Sequence, residues 1–104
     1  MSERALEGVR VIEFTDELGS YCGRLLADLG AEVIKVEPPG GGRQRHSGPF
    51  VTGHEDEPDA SLAFWVHNTS KQSVVLDLDT EEGQGTARKL IESAAILVED
   101  YPVG

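Results

Sequence analysis

Residues 9–37, VRVIEFTDELGSYCGRLLADLGAEVIKVE, switch hydrophobic period twice, and that switch leaves few folds open. Val9, Val11, Ile12 and Phe14 form a short apolar run that ends at Thr15. Leu18, Tyr21, Cys22, Leu25, Leu26 and Leu29 then recur at steps of three or four, the stripe of a helix with one buried face. Gly30 stands where helices commonly stop, just past the last turn. Val33, Ile34 and Val36 make a second strand. Strand, helix and strand within about thirty residues is a βαβ unit, whose two strands run parallel as neighbours.

The rest of the chain builds onto this unit. Residues 1–8 are polar, a frayed lead-in from which Leu6 packs against the domain edge. PPGGG at 38–42 cannot continue a strand, so the chain turns there. Residues 43–61 have neither period and read as one long loop, with Glu55, Asp56, Glu57 and Asp59 as its solvated crest. LAFWV at 62–66 suits a short helical turn or a strand, and HNTSKQS at 67–73 is turn-like. Val74, Val75, Leu76 and Leu78 form a third strand. Thr80 is a good helix cap, and Glu81 and Glu82 suit the positive end of the helix dipole. Ala87, Leu90, Ile91, Ala94 and Ala95 stripe a helix over about 81–94, weakened by about 1 kcal/mol at each of Gly83 and Gly85. Ile96, Leu97 and Val98 make a fourth strand.

The expected fold is therefore α/β: a mostly parallel, Rossmann-like sheet built from two βαβ units. Ligands on such sheets sit beyond the carboxyl ends of the strands, here 15–20, 37–42, 77–80 and 99–104. Four strands with two helices leave apolar sheet uncovered. The chain reads as incomplete, or as one that buries this surface against a second copy or a partner chain.

Charge narrows the partners. With 9 basic and 19 acidic residues the chain carries a net charge of −10, which argues against nucleic acid or an anionic membrane. An anionic ligand held by a few local cations remains compatible. No apolar run approaches the roughly 20 residues that span a bilayer, and the opening MSERALEG lacks an apolar signal core. A cytoplasmic protein is expected. Cys22 is the one cysteine, so no internal disulfide forms. Its place on the apolar stripe predicts core packing rather than reactivity.

Four stretches together resemble one family. LADLGAEVIKVEPPGGG (26–42) is similar to the N-terminal signature of class III CoA-transferases, the family of formyl-CoA transferase, carnitine CoA-transferases and α-methylacyl-CoA racemase. LEGVRVIEFT (6–15) resembles its opening strand, HNTSKQSVVLDLDTEEG (67–83) its asparagine- and lysine-containing turn, and AAILVEDYPVG (94–104) its next strand and turn. The resemblance implies transfer of coenzyme A from a thioester to a carboxylic acid. An aspartate nucleophile splits the transfer into covalent steps; the racemase branch instead moves a proton alpha to the thioester carbonyl. It also implies an interlocked dimer, CoA or acyl-CoA as substrate and no tightly bound cofactor. No residue here matches the catalytic aspartate, so the chain alone is expected to transfer nothing.

Site residues follow from the same resemblance. His67, Asn68, Thr69, Ser70 and Lys71 match the segment along the adenosine-phosphate part of CoA, with Lys71 on the family lysine. Asp100 and Tyr101 match an asparagine–aromatic pair beside CoA; Asp100 removes an amide donor and adds negative charge. Leu18 or Gly19 takes the place near the thioester where some members carry glutamine. Pro38 stands where many carry a phosphate-binding arginine. Arg43 and Arg45 could restore that charge, although a flexible solvated loop is the expected setting for both.

Other readings are weaker. A nicotinamide or flavin domain would explain Glu37 at the end of a strand, but TDELGS lacks the G-x-G-x-x-G turn. His46, His54 and His67 match no metal spacing. Ser20 lacks the glycine flanks of a nucleophile elbow. A non-catalytic docking module stays open.

Overall fold

The computed structural model describes residues 4–55 and 57–101, the side chain of Pro58 excepted. The lead-in at 1–3, Asp56 of the acidic run and the turn at 102–104 lie outside them. The strands are β1 (Arg10–Phe14), β2 (Glu32–Glu37), β3 (Gln72–Val75) and β4 (Ile96–Glu99). The helices are α1 (Ser20–Asp28), α2 (Leu62–His67) and α3 (Glu81–Ser93). All strand pairs are parallel, in the order β3-β2-β1-β4, so β1 and β2 of the first unit are neighbours while β3 and β4 of the second take opposite edges.

Period two divides β1 and β2 between two cores. Ile12, Phe14, Ile34 and Val36 face α3 and pack with Ala87, Leu90 and Ala94. Val11 and Val33 face α1 and pack with Ala27, Ala31, Leu26 and Leu6, so Leu6 does anchor the domain edge. Glu13 and Lys35 alternate onto that second face and are buried, as is Glu37. The edge strands are less covered: Val75 and Leu97 are both about half exposed (59% and 49%).

Helix α1 turns most of its apolar stripe outward, Leu26 excepted. Its buried residues are Ser20, Gly23 and Ala27, while Leu18, Tyr21, Leu25 and Leu29 stand exposed. Cys22 is exposed too, which overturns its expected place in the core. Both faces repeat at helical spacing, so periodicity alone could not tell which one meets the sheet. Close approach decides it: a Cβ at position 23 would overlap the carboxylate of Glu13.

Two further expectations change. The third strand is Gln72–Val75, starting earlier than Val74. Leu76 adds one bond to β2 through its amide and the Glu37 carbonyl (2.9 Å), and Leu76 and Leu78 then pack partly buried on the α3-side core. Residues 43–61 are not one irregular loop. They hold two 3-10 turns, Arg43–His46 and Pro58–Ala60, and an antiparallel bridge between Phe50 and Ser61. The Ser61 hydroxyl donates to the carbonyls of Gln44 (3.1 Å) and Ser47 (2.7 Å) while capping α2 at Phe64. Such polar ties leave no hydrophobic period to read. Residues 62–66 resolve as helix. Thr80 caps α3 at Gly83 as expected. A Cβ at Gly83 would run into the Asp77 carbonyl, so that glycine is needed for contact as well as weakening the helix. Among the described residues no helix is long and apolar enough to cross a membrane.

Candidate functional site

Helix α1 covers one side of the sheet and α3 the other, so the order β3-β2-β1-β4 places a switch point at the carboxyl ends of β1 and β4. A cleft of about 360 Å³ opens there, lined by Asp16, Glu17, Leu18, Arg43, Asp100 and Tyr101. A second, of about 340 Å³, shares Asp16, Arg43 and Tyr101 and continues between Pro38–Pro39 and Leu76–Leu78, with Asp77 and Asp79 at its rim. The charged residues of the lining are acidic apart from Arg43, its cation. Its side chain is exposed and has no ion pair within 4.0 Å among the described residues.

Two carboxylates tie the rims together. Asp100 receives the amide of Asp16 at 3.0 Å and that of Gly19 at 2.5 Å. Its charge therefore turns inward, onto the start of α1, where no N-cap side chain or first-turn acid is present. Asp16 in turn receives the amides of Arg43 (3.0 Å) and Gln44 (2.8 Å), capping the 3-10 turn. Tyr101 stacks edge-on against Phe14 and its hydroxyl reaches the Val36 carbonyl. Burial, with Asp16 and Asp100 nearby, pushes its phenol above the ordinary range.

Arg45 is not solvated. Its guanidinium forms a two-point contact with Glu37 (2.6 and 2.9 Å) and lies 3.9 Å over the Phe64 ring. Burial raises the Glu37 carboxyl, but hydrogen bonds from Arg45, Ser73 and Gly42 outweigh it and hold the pKa below the usual range. Arg45 is thus committed inside the fold.

The segment 67–71 lies behind α1 rather than on the cleft lining. Asn68 donates to the Gln44 side chain and the Phe64 carbonyl. The His67 ring meets Tyr21 edge-on. The Lys71 side chain is only 2% exposed; its ammonium sits 2.5 Å from Glu13 and donates to the Ser20 carbonyl and to Asn68. Thr69 and Ser70 are exposed. The structure thus brings Leu18, Asp100 and Tyr101 to one cleft, holds Gly19 beside it on Asp100, and sets His67, Asn68 and Lys71 apart.

Sequence reasoning missed the buried charges. Glu13 and Lys35 are register partners across β1 and β2, with 3.9 Å between their charged groups. Lys35 also donates to the Thr15 carbonyl and hydroxyl and to the Ser20 hydroxyl. A charge inside a central parallel strand is buried on either face, and that rule was the available signal.

Residues 6–104 match the model of CoA-transferase family III. The chain belongs to that family. This CoA-transferase family III chain is 42% identical over 101 residues to the succinyl-CoA:mesaconate CoA-transferase of Haloarcula hispanica, covering 96% of this chain and 25% of that protein. It is 39% identical over 99 residues to the succinate–glutarate CoA-transferase of Agrobacterium fabrum, covering 92% and 25%. A CAIB/BAIF family protein from Brucella suis superimposes with a TM-score of 0.85 at 35% identity, over 96% of this chain and 26% of that one. The chain spans about a quarter of the length of these relatives.

Proposed function

We propose that residues 1–104 form the first part of a CoA-binding Rossmann-like domain, in a protein that moves CoA between an acyl-CoA and a carboxylic acid. The carrying observation is the switch-point cleft with its exposed arginine. Arg43 would meet a CoA phosphate in place of the arginine that Pro38 lacks. Leu18 and Tyr101 would line the ligand's path, and Thr69 and Ser70, exposed off the cleft, would meet the part of CoA that extends beyond it. Gly19, Asp100, His67, Asn68 and Lys71 would shape the site from behind. The acid would be a short dicarboxylate, as the names of the two relatives indicate for those proteins. A cytoplasmic setting accompanies this reading.

Calorimetric titration of the purified chain with coenzyme A tests it, with Arg43→Ala alongside. Binding should weaken about tenfold in the variant, the scale of one charge-assisted hydrogen bond. A chain that is folded by circular dichroism yet shows no heat with CoA would end the reading.

A docking role is supported by a separate observation. Leu18, Tyr21, Leu25 and Leu29 are exposed on or beside α1, and Trp65 and Val66 are exposed on α2. Arg24 joins the two helices through the Val66 carbonyl at 2.7 Å. Such a face suits a second copy or a partner chain. Sedimentation showing only monomer at high concentration would remove its motive.

A further inference from the structure

We infer that Asp100 is a positioning residue that sets the placement of Arg43 from a distance, through Asp16, so that the end of β4 fixes the anion-facing rim of the cleft. Asp100 makes no hydrogen bond to residues 43–46. It holds the Asp16 and Gly19 amides at 3.0 and 2.5 Å. That contact orients the Asp16 carboxylate, whose two oxygens each take one amide of the next segment, Arg43 at 3.0 Å and Gln44 at 2.8 Å. Three chain segments far apart in sequence are thereby linked in series by two carboxylates. The link has a direction. Removing the Asp16 side chain leaves its backbone amide on Asp100, whereas removing the Asp100 side chain frees the whole series.

The Gly19-facing oxygen of Asp100 also lies 3.2 Å from the Asp16 amide, whose shorter bond goes to the other oxygen. Asparagine can put its one oxygen on the Gly19 amide, but its NH2 then faces the Asp16 amide, donor against donor, at the 3.0 Å position. Asparagine should therefore keep Gly19 and loosen Asp16 with 43–44, whereas alanine should free all three, which separates the link through Asp16 from the cap on α1.

The inference rests on the CoA-binding reading only for its ligand readout, so its test has two arms. The first uses the ligand-free chain and amide hydrogen exchange by NMR. Asp100→Ala should speed exchange at Gly19, Arg43 and Gln44 at least tenfold, with Ile34 of β2 unchanged. Asp16→Ala should do so at Arg43 and Gln44 while sparing Gly19, and Asp100→Asn should likewise spare Gly19 and speed exchange at Arg43 and Gln44. Unchanged exchange at Arg43 and Gln44 in Asp100→Ala overturns the inference. If that variant does not fold, Asp16→Ala decides instead: loss of protection at Gly19 together with 43–44, or no loss at 43–44, defeats the series. The second arm is a double-variant cycle on CoA affinity. Asp100→Ala and Arg43→Ala should each weaken binding about tenfold, and the pair no more than either alone. Additive losses would show that Asp100 does not act through Arg43. Absence of CoA binding in the parent would sink the CoA reading and leave the exchange arm to decide this one.

Discussion

The ammonium of Lys71 sits 2.5 Å from the carboxylate of Glu13, with both side chains almost wholly buried. Breaking one side of such a pair leaves the other charge without its counterion, typically at about 3–5 kcal/mol. Lys71→Met and Glu13→Gln should each lose roughly that much in urea unfolding. The combined variant should lose less than the sum of the two. A Lys71 variant that unfolds within about 0.5 kcal/mol of the parent, as an exposed lysine would, refutes the buried Lys71–Glu13 pair.

Gly23 presses α1 onto Glu13. Gly23→Ala gains up to about 1 kcal/mol of helix propensity, but the new methyl would meet the buried carboxylate. Overpacking of this kind costs about 1–3 kcal/mol, so the net effect should be destabilising. A higher melting temperature for Gly23→Ala would show that α1 can lift away from the sheet at little cost.

Acidification should act through Glu37. Burial raises its pKa, and the bonds from Arg45, Ser73 and Gly42 more than reverse that, so the folded value lies below the unfolded one. The unfolded chain then binds the extra proton first as pH falls. This contribution is whole above the ordinary carboxylate range and is lost as pH drops through the depressed folded value. Glu37→Gln should flatten the acid limb of the stability profile, read by denaturant midpoints across pH. An acid limb as steep as the parent's would assign the effect to other carboxylates.

Cys22 is exposed on α1. A thiol reagent should label it in the native chain about as fast as in denaturant. Labelling that waits for unfolding would restore its place in a core, or place it under a partner.

The parallel α/β sheet was legible because its signals are local and repeated. The apolar runs at β1 and β2, the stop at Gly30 and the cap at Thr80 each mark one element, and together they permit few topologies. The cleft was legible only in outline. Leu18, Gly19, Asp100 and Tyr101 meet where the strand ends predicted a site. Arg43 reads in sequence as one arginine in a polar loop, because nothing in a loop's composition reveals which backbone amides a distant carboxylate will hold. Arg45 reads the same way, yet it is locked on Glu37.

By itself the sequence determined the two βαβ units, the face alternation of β1 and β2 and the family. Those follow from residue spacing along the chain. Tertiary structure alone decided which face of α1 meets the sheet, which of two loop arginines stays exposed, and where Lys71 points. Each of these depends on what residues distant in sequence bring within a few ångströms. Burial makes such contacts decisive: a charge without a partner is expensive once water is excluded, so Glu13 draws in Lys71 and Glu37 draws in Arg45.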